Sequence, residues 1–200
     1  MFLIVCVSVF VLSQVYPFIQ NMLSASRASL WGVVTAVFVH SSYSHLAYNM
    51  TSLFLFIFII TFCCSTVRKV MKKKIESYLF VTTFSFAIIS NVLWVALTPN
   101  PSVGASGLVY AMQGSLAGLT LFNGLPLLNF SKLKAQSPSV VTNIALSLLV
   151  FTVTFIMILT SPESFLNIGQ GVNSIAHGVS FLLALCLTTP WCFIEKISLG

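Results

Sequence analysis

The sequence predicts an all-α, polytopic membrane protein, a single domain over residues 1–200 built as a bundle of six transmembrane helices. Three observations carry that expectation. Of the 200 residues, 58% are hydrophobic and only 6% are charged, against about 25% charged in soluble domains. The mean hydropathy is +1.02. Six windows, near 2–19, 45–66, 77–97, 106–122, 140–160 and 174–194, are each apolar over roughly the 20 residues that a helix needs to cross a bilayer. Together they use most of the chain, so no separate soluble domain is expected.

The first span opens "MFLIVCVSVF". It lacks the basic n-region of a secretory signal peptide and is read as a retained helix, although "SASRAS" after it offers small residues for cleavage. Arg68, Lys69, Lys72, Lys73 and Lys74 lie between spans two and three, Lys132 and Lys134 between four and five, and Lys196 after six. Basic residues favour the cytoplasmic side, and a six-span serpentine puts all three segments on one face, with Arg27 alone on the other. Both termini are therefore expected in the cytoplasm. The net charge of +6 reads as a topology signal, with attraction to anionic headgroups of the lipid bilayer second. Nucleic acid is not an expected partner, because the basic residues anchor loops without interleaved exposed aromatics. Cys6, Cys63, Cys64, Cys186 and Cys192 fall inside spans or toward their inner ends. Packing is their default role on a reducing side; acylation of Cys63, Cys64 or Cys192 is the alternative.

Polar side chains in a membrane are costly, so each is a functional-site candidate. His40 and His45 lead into span two in "FVHSSYSHLAYNM", Ser106 opens span four in "NPSVGASGLVYAMQG", and His177 opens span six in "NSIAHGVSF". Spans two, four and six all begin on the non-cytoplasmic side, so these groups converge on one depth. His45 and Asn49 are four residues apart, as are Ser106 and Tyr110, so each pair shares a helix face. His40 and His45 are five apart and lie on different faces. With no carboxylate in these motifs, neither a metal nor any other cofactor is expected.

A serine nucleophile needs a base within hydrogen-bond reach, usually histidine. The chain holds no aspartate and three glutamates: Glu76 and Glu195 on the cytoplasmic side and Glu163 in the outer loop after span five. A buried Ser-His-Asp triad is therefore unavailable, and serine chemistry would run on a Ser106–His177 dyad with Tyr110 packed against the imidazole. Asn49, His45 and the free first-turn N–H of Ser106 are the candidate oxyanion donors. Gly104 and Gly107 allow close approach of backbone and substrate. The competing role for these residues is interhelical glue.

These motifs resemble those of the rhomboid intramembrane serine proteases. "GASG" (104–107) matches the Gly-x-Ser-Gly nucleophile motif, Tyr110 sits at the ring-packing tyrosine, and "HSSYSHLAYN" (40–49) follows the His-x-x-x-x-His-x-x-x-Asn pattern. "AHGVS" (176–180) resembles the Ala-His element of span six. The chain departs at Gly32, where members often carry arginine after the tryptophan (here Trp31), and at Ser180, where glycine is favoured; Ala184 follows four residues later. The resemblance implies a compact bundle whose short fourth helix presents the serine in a water-filled cavity open to the non-cytoplasmic side. It also implies a serine endopeptidase that cleaves transmembrane segments of other membrane proteins. Two other readings stand beside it. One is an inactive relative that binds such segments without cutting. The other is a small transporter, which calls for ionisable or helix-breaking features near the midplane, where Asn91 and Asn143 are the amides of interest.

Because Glu163 is the one acid expected on the outer side, Glu163→Gln is expected to leave turnover of a transmembrane substrate within about a few-fold. A loss on the order of 10⁴-fold, as for a triad member, would show that a carboxylate orients the base.

Overall fold

The computed structural model describes residues 1–64, 69–124 and 173–195, together with isolated positions between 138 and 156. Helix dominates the described residues, and their β content is two isolated bridges, Ala25 with Ser102 and Ser26 with Ser29. The chain begins with α1 (Phe2–Val15) and α2 (Pro17–Leu23). The predicted first span, 2–19, is thus broken at Tyr16. Pro17 opens α2, and Tyr16 takes φ −126°, ψ 85°, because a residue before proline is pushed out of the α region. The 14 residues of α1 rise only about 21 Å, short of the roughly 30 Å hydrocarbon core.

A short α3 (Gly32–Thr35) and one 3₁₀ turn (Ala36–Phe38) lead to α4 (Tyr43–Cys63), α5 (Lys69–Leu97) and α6 (Ser106–Gly124), and α7 (Ser174–Glu195) closes the described chain. Among the described residues, three stretches are long and apolar enough to cross a membrane: Tyr43–Phe62, Lys69–Leu97 and Ser174–Cys192. Helix α5 starts at Lys69, ahead of its predicted window at 77, because lysine and glutamate propagate a helix well beyond the apolar stretch. Helix α6 is enclosed by protein: Leu108, Ala111, Leu116 and Leu119 are all buried. Most of the predicted fifth span, with Asn143, lies outside the described residues, as do Arg68, Lys132, Lys134, Lys196 and Glu163; the described positions from Pro138 to Ile156 are helical.

Helix α6 packs against α4, α5 and, most extensively, α7. Small residues make that approach close. A Cβ on Gly114 would fall on the carbonyl oxygen of Phe181 and lie 3.0 Å from the Ala184 Cβ, and one on Gly118 would lie 2.9 Å from the Thr188 Cβ. Lipid is as apolar as leucine, so helices associate in it through such contact and through interhelical hydrogen bonds. Thr188 donates to Ser115 at 3.4 Å, and the Tyr78 ring stacks on Trp191 with centroids 3.8 Å apart. Ser180, one of the two departures, donates to the Phe86 carbonyl on α5 at 3.3 Å. It braces α7 against α5, while Ala184 takes the contact with α6.

The other departure has an equally local cause. A Cβ at Gly32 would fall on the carbonyl of Ser24, so no larger residue fits this backbone. The segment is anchored from elsewhere. Arg27 donates to the carbonyls of Val95 and Ala96 at 3.2 and 3.3 Å, satisfying acceptors that the end of α5 leaves open. Thr35 donates to the Leu23 carbonyl at 2.8 Å, and Trp31 to that of Met22 at 2.9 Å.

Gly114→Ala meets a backbone carbonyl and is expected to destabilise the protein by about 1–3 kcal/mol, the usual range for overpacking. Gly118→Ala meets the Thr188 Cβ at 2.9 Å, a smaller overlap than the one on the Phe181 carbonyl, and is expected to cost less. Thermal unfolding of both variants in one detergent checks the order; equal losses would place the tight contact elsewhere.

Candidate active site

The candidate residues gather at the end of the bundle where α4, α6 and α7 begin. Ser42 caps α4: its extended backbone stops the helix, and its hydroxyl accepts the His45 N–H at 3.1 Å, as an N-cap serine does. His45 therefore sits in the first turn, with Asn49 one turn on along the same face. Ser41 Oγ lies 3.3 Å from His45 Nδ1. With the hydroxyl donating, the neutral imidazole carries its proton on Nε2; this tautomer is assigned from the hydrogen-bond partner. Neither Ser41 nor Ser42 was among the sequence candidates, although a serine just before a helical apolar run is a start signal in its own right.

The Gly104 loop closes on this face. Gly104 holds φ +120°, a conformation that glycine adopts without steric cost. A Cβ there would stand 2.6 Å from both Cε1 and Nε2 of His45 and 3.5 Å from Nδ2 of Asn49. Glycine is thus required by conformation and by space, and the loop lies directly against the two predicted oxyanion donors. Gly107 makes the matching close approach to α5, its missing Cβ 3.1 Å from the Ala87 Cα. The loop is held by two backbone donors: Gly104 N–H to the Ala36 carbonyl at 2.9 Å and Ala105 N–H to His40 Nε2 at 3.4 Å.

His40 is fully buried, in the loop before α4 and outside the spanning helices. Its ring meets that of His45 edge-on at 5.2 Å. Burial, reinforced by His45, pushes its pKa down to about 4. The ring is therefore neutral near pH 7, and since Nε2 accepts from Ala105, its proton sits on Nδ1. The Phe38 backbone partly offsets the lowering of its pKa by hydrogen bonding to the ring, whereas the Nδ2 of Asn49 is buried without a hydrogen-bond partner. Such a group is rare in folded proteins and calls for a reason.

Ser106 opens α6 and is half-buried. The first intrahelical bond there is Val109 N–H to the Ala105 carbonyl, 3.1 Å, so the N–H of Ser106 precedes the helical ladder. One turn along, the Tyr110 ring stacks on the His177 imidazole with centroids 4.3 Å apart and planes at 21°. Because Ser106 and Tyr110 share a face, the stack brings the buried His177 to the side of α6 that carries the serine. His45, Asn49, Ser106, Gly107, Tyr110 and His177 thus lie near the starts of α4, α6 and α7, with His40 and Gly104 in the loops that lead into α4 and α6. Among the described residues, no three His, Cys, Asp or Glu side chains cluster as metal ligands would.

The chain belongs to the rhomboid family: it matches the Rhomboid domain over residues 27–193, a range that holds every residue of this site. It is accordingly an integral membrane protein, of a family made up in general of intramembrane serine proteases, with inactive members among them. No curated relative matches the chain.

Two outcomes follow. If the chain cleaves transmembrane segments as the family does in general, Gly104→Ala is expected to lower that activity by at least about 10-fold, because its Cβ would stand 2.6 Å from the His45 ring and force a shift, and small misplacements at a site are costly. Steady-state cleavage per folded molecule checks it. His40, depressed in the folded state, binds its proton later than in an unfolded chain near 6.5, so stability is full above about pH 6.5 and falls as pH drops toward 4. His40→Gln is expected to flatten that part of the unfolding-temperature profile; an unchanged slope would assign the pH dependence to other groups.

Proposed function

We propose that this chain is a serine endopeptidase that hydrolyses a peptide bond in a transmembrane segment of another membrane protein. The observation that carries the reading is the stack of Tyr110 on His177 along the face of α6 that begins with Ser106. Beside it, the unpaired Asn49 Nδ2 borders the Gly104 loop. His177 takes the Ser106 proton as Oγ attacks the scissile carbonyl. The oxyanion that develops accepts from Asn49 Nδ2–H, His45 Nε2–H and the Ser106 N–H, donors fixed before the charge appears. His177 then returns the proton to the leaving amine, and water admitted to the site hydrolyses the acyl-enzyme by the same base. Tyr110 holds the imidazole by stacking, in place of an orienting carboxylate.

This reading includes a single six-helix domain over residues 1–200 with both termini in the cytoplasm. The site opens to the non-cytoplasmic side, because hydrolysis needs water and polar groups in the hydrocarbon region must line a cavity. The substrate has to unwind before its carbonyl is accessible, so segments with weak helix formers are favoured.

The test is covalent labelling of the purified protein by a serine-directed fluorophosphonate beside cleavage of a transmembrane substrate. Ser106→Ala and His177→Ala are each expected to abolish both. Cleavage surviving in Ser106→Ala sinks the reading, and substrate binding with neither labelling nor cleavage by the wild type identifies a non-cutting binder. Asn49→Ala is expected to lower kcat by about 100-fold with little change in KM, as in other oxyanion sites. A loss of thermal stability with kcat per folded molecule intact would make Asn49 interhelical glue.

A further inference from the structure

A second polar cluster lies beside the site, and neither the catalytic roles nor the family motifs account for it. Asn173 precedes α7, and its Oδ1 accepts the Ala176 N–H at 2.8 Å. Its Nδ2 donates to Ser102 Oγ at 2.8 Å and to Asn91 Oδ1 at 3.3 Å. Asn91, on α5, uses its own Nδ2 on the Val33 carbonyl at 3.0 Å. Each amide is thereby oriented by a backbone group, so the donor and acceptor roles are mutually consistent. Ser102 is fixed independently, exchanging backbone hydrogen bonds with Ala25 at 2.9 Å in both directions. All three side chains are at least nine-tenths buried, with Asn91 4%, Ser102 4% and Asn173 7% exposed.

The register of this cluster is what gives it meaning. Ser102 stands four residues before Ser106, and Asn173 four residues before His177. One short hydrogen bond therefore joins the chain leading into the candidate nucleophile's helix to the chain leading into the candidate base's helix. Asn91 ties that junction to α5 and, through Val33, to the segment after α2. The close contacts at Gly114 and Gly118 hold α6 against α7 lower down, and the Tyr110–His177 stack joins them nearer their starts. The Asn173–Ser102 bond ties the two chains together just ahead of both helices.

We infer that Asn173 and Ser102 are positioning residues, whose hydrogen bond sets the distance between Ser106 Oγ and the His177 imidazole. The inference rests on the protease reading of those two residues. Neither positioning side chain touches substrate in this account, and their effect is on alignment of the nucleophile and base. Misplacements of about 1 Å cost on the order of 10²-fold in rate.

The experiment measures the fluorophosphonate labelling rate, kcat and KM on full-length protein, each per folded molecule. Asn173→Ser keeps an oxygen that caps α7 but is too short to reach Ser102, and Ser102→Ala removes the acceptor without touching the cap. Each is expected to lower labelling and kcat by about 10- to 100-fold with KM within about two-fold, and the double variant is expected to be no slower than the worse single one. Ser102→Thr, which restores the hydroxyl, is expected to recover most of the rate. Wild-type rates in the folded single variants, additive losses in the double variant, or no recovery with threonine would each overturn the positioning role alone. A wild type that does not label at all, or labels equally as Ser106→Ala, overturns the protease reading and this inference with it.

Discussion

The approach of α6 to α7, backbone against backbone, is the constraint on which the rest of the arrangement depends. In water two helices are driven together by the apolar area they hide, but in lipid that term vanishes, because the tails are as apolar as the side chains. What remains is contact, and contact improves steeply as side chains shrink. At Gly114 the nearest neighbour is the main chain of Phe181, and at Gly118 it is Thr188. This closeness lets Tyr110 and His177 stack at 4.3 Å, since rings on two helices separated by larger side chains would not meet.

Against that rigid pair, the α4 end of the site is built at a cost. Gly104 occupies a backbone conformation closed to larger residues, and its loop presses on the His45 ring. Asn49 Nδ2 is a donor without a partner, a loss of about 1–3 kcal/mol for a buried polar group. A core selected for stability alone would fill or neutralise it. Asn49 is intelligible as a donor held ready for charge that appears only during reaction, which is the most effective placement for electrostatic stabilisation. His40 has a different logic: its Nε2 accepts from the Ala105 N–H, next to Ser106, and so holds the loop in place.

Much of this was legible in the sequence because it depends on spacing. The pairs His45 with Asn49 and Ser106 with Tyr110 lie one helical turn apart, and the lack of aspartate removes a triad without reference to any coordinates. Less legible were features set by the chain's path. Pro17 sits inside an apolar window, and hydropathy averaging passed over the break it forces at Tyr16. The lysines ahead of residue 77 look like a loop to a hydropathy window, yet they continue α5 because helix propensity is indifferent to charge on an exposed face. Arg27 reads as a topology marker, while its guanidinium also serves the carbonyls at the end of α5. Asn173 and Ser102 are 71 residues apart; neither falls in a periodic pattern with the other, and only the folded chain brings them together. Gly32 and Ser180 stood out as departures from a family pattern, and both have local causes: Ser24 occupies the space a side chain at 32 would need, and Phe86 offers Ser180 an acceptor.

The central claim is that His177 takes the Ser106 proton from the α7 side and that the oxyanion formed on the scissile carbonyl is received on the α4 side. The most direct test is an experimental structure of the phosphonylated protein. The account predicts a phosphonyl group on Ser106 Oγ with its oxygen within about 3.2 Å of Asn49 Nδ2 and His45 Nε2, the range of a formed hydrogen bond, and His177 still stacked on Tyr110. An adduct whose oxygen turns away from α4, leaving Asn49 Nδ2 unpaired as before, would contradict it.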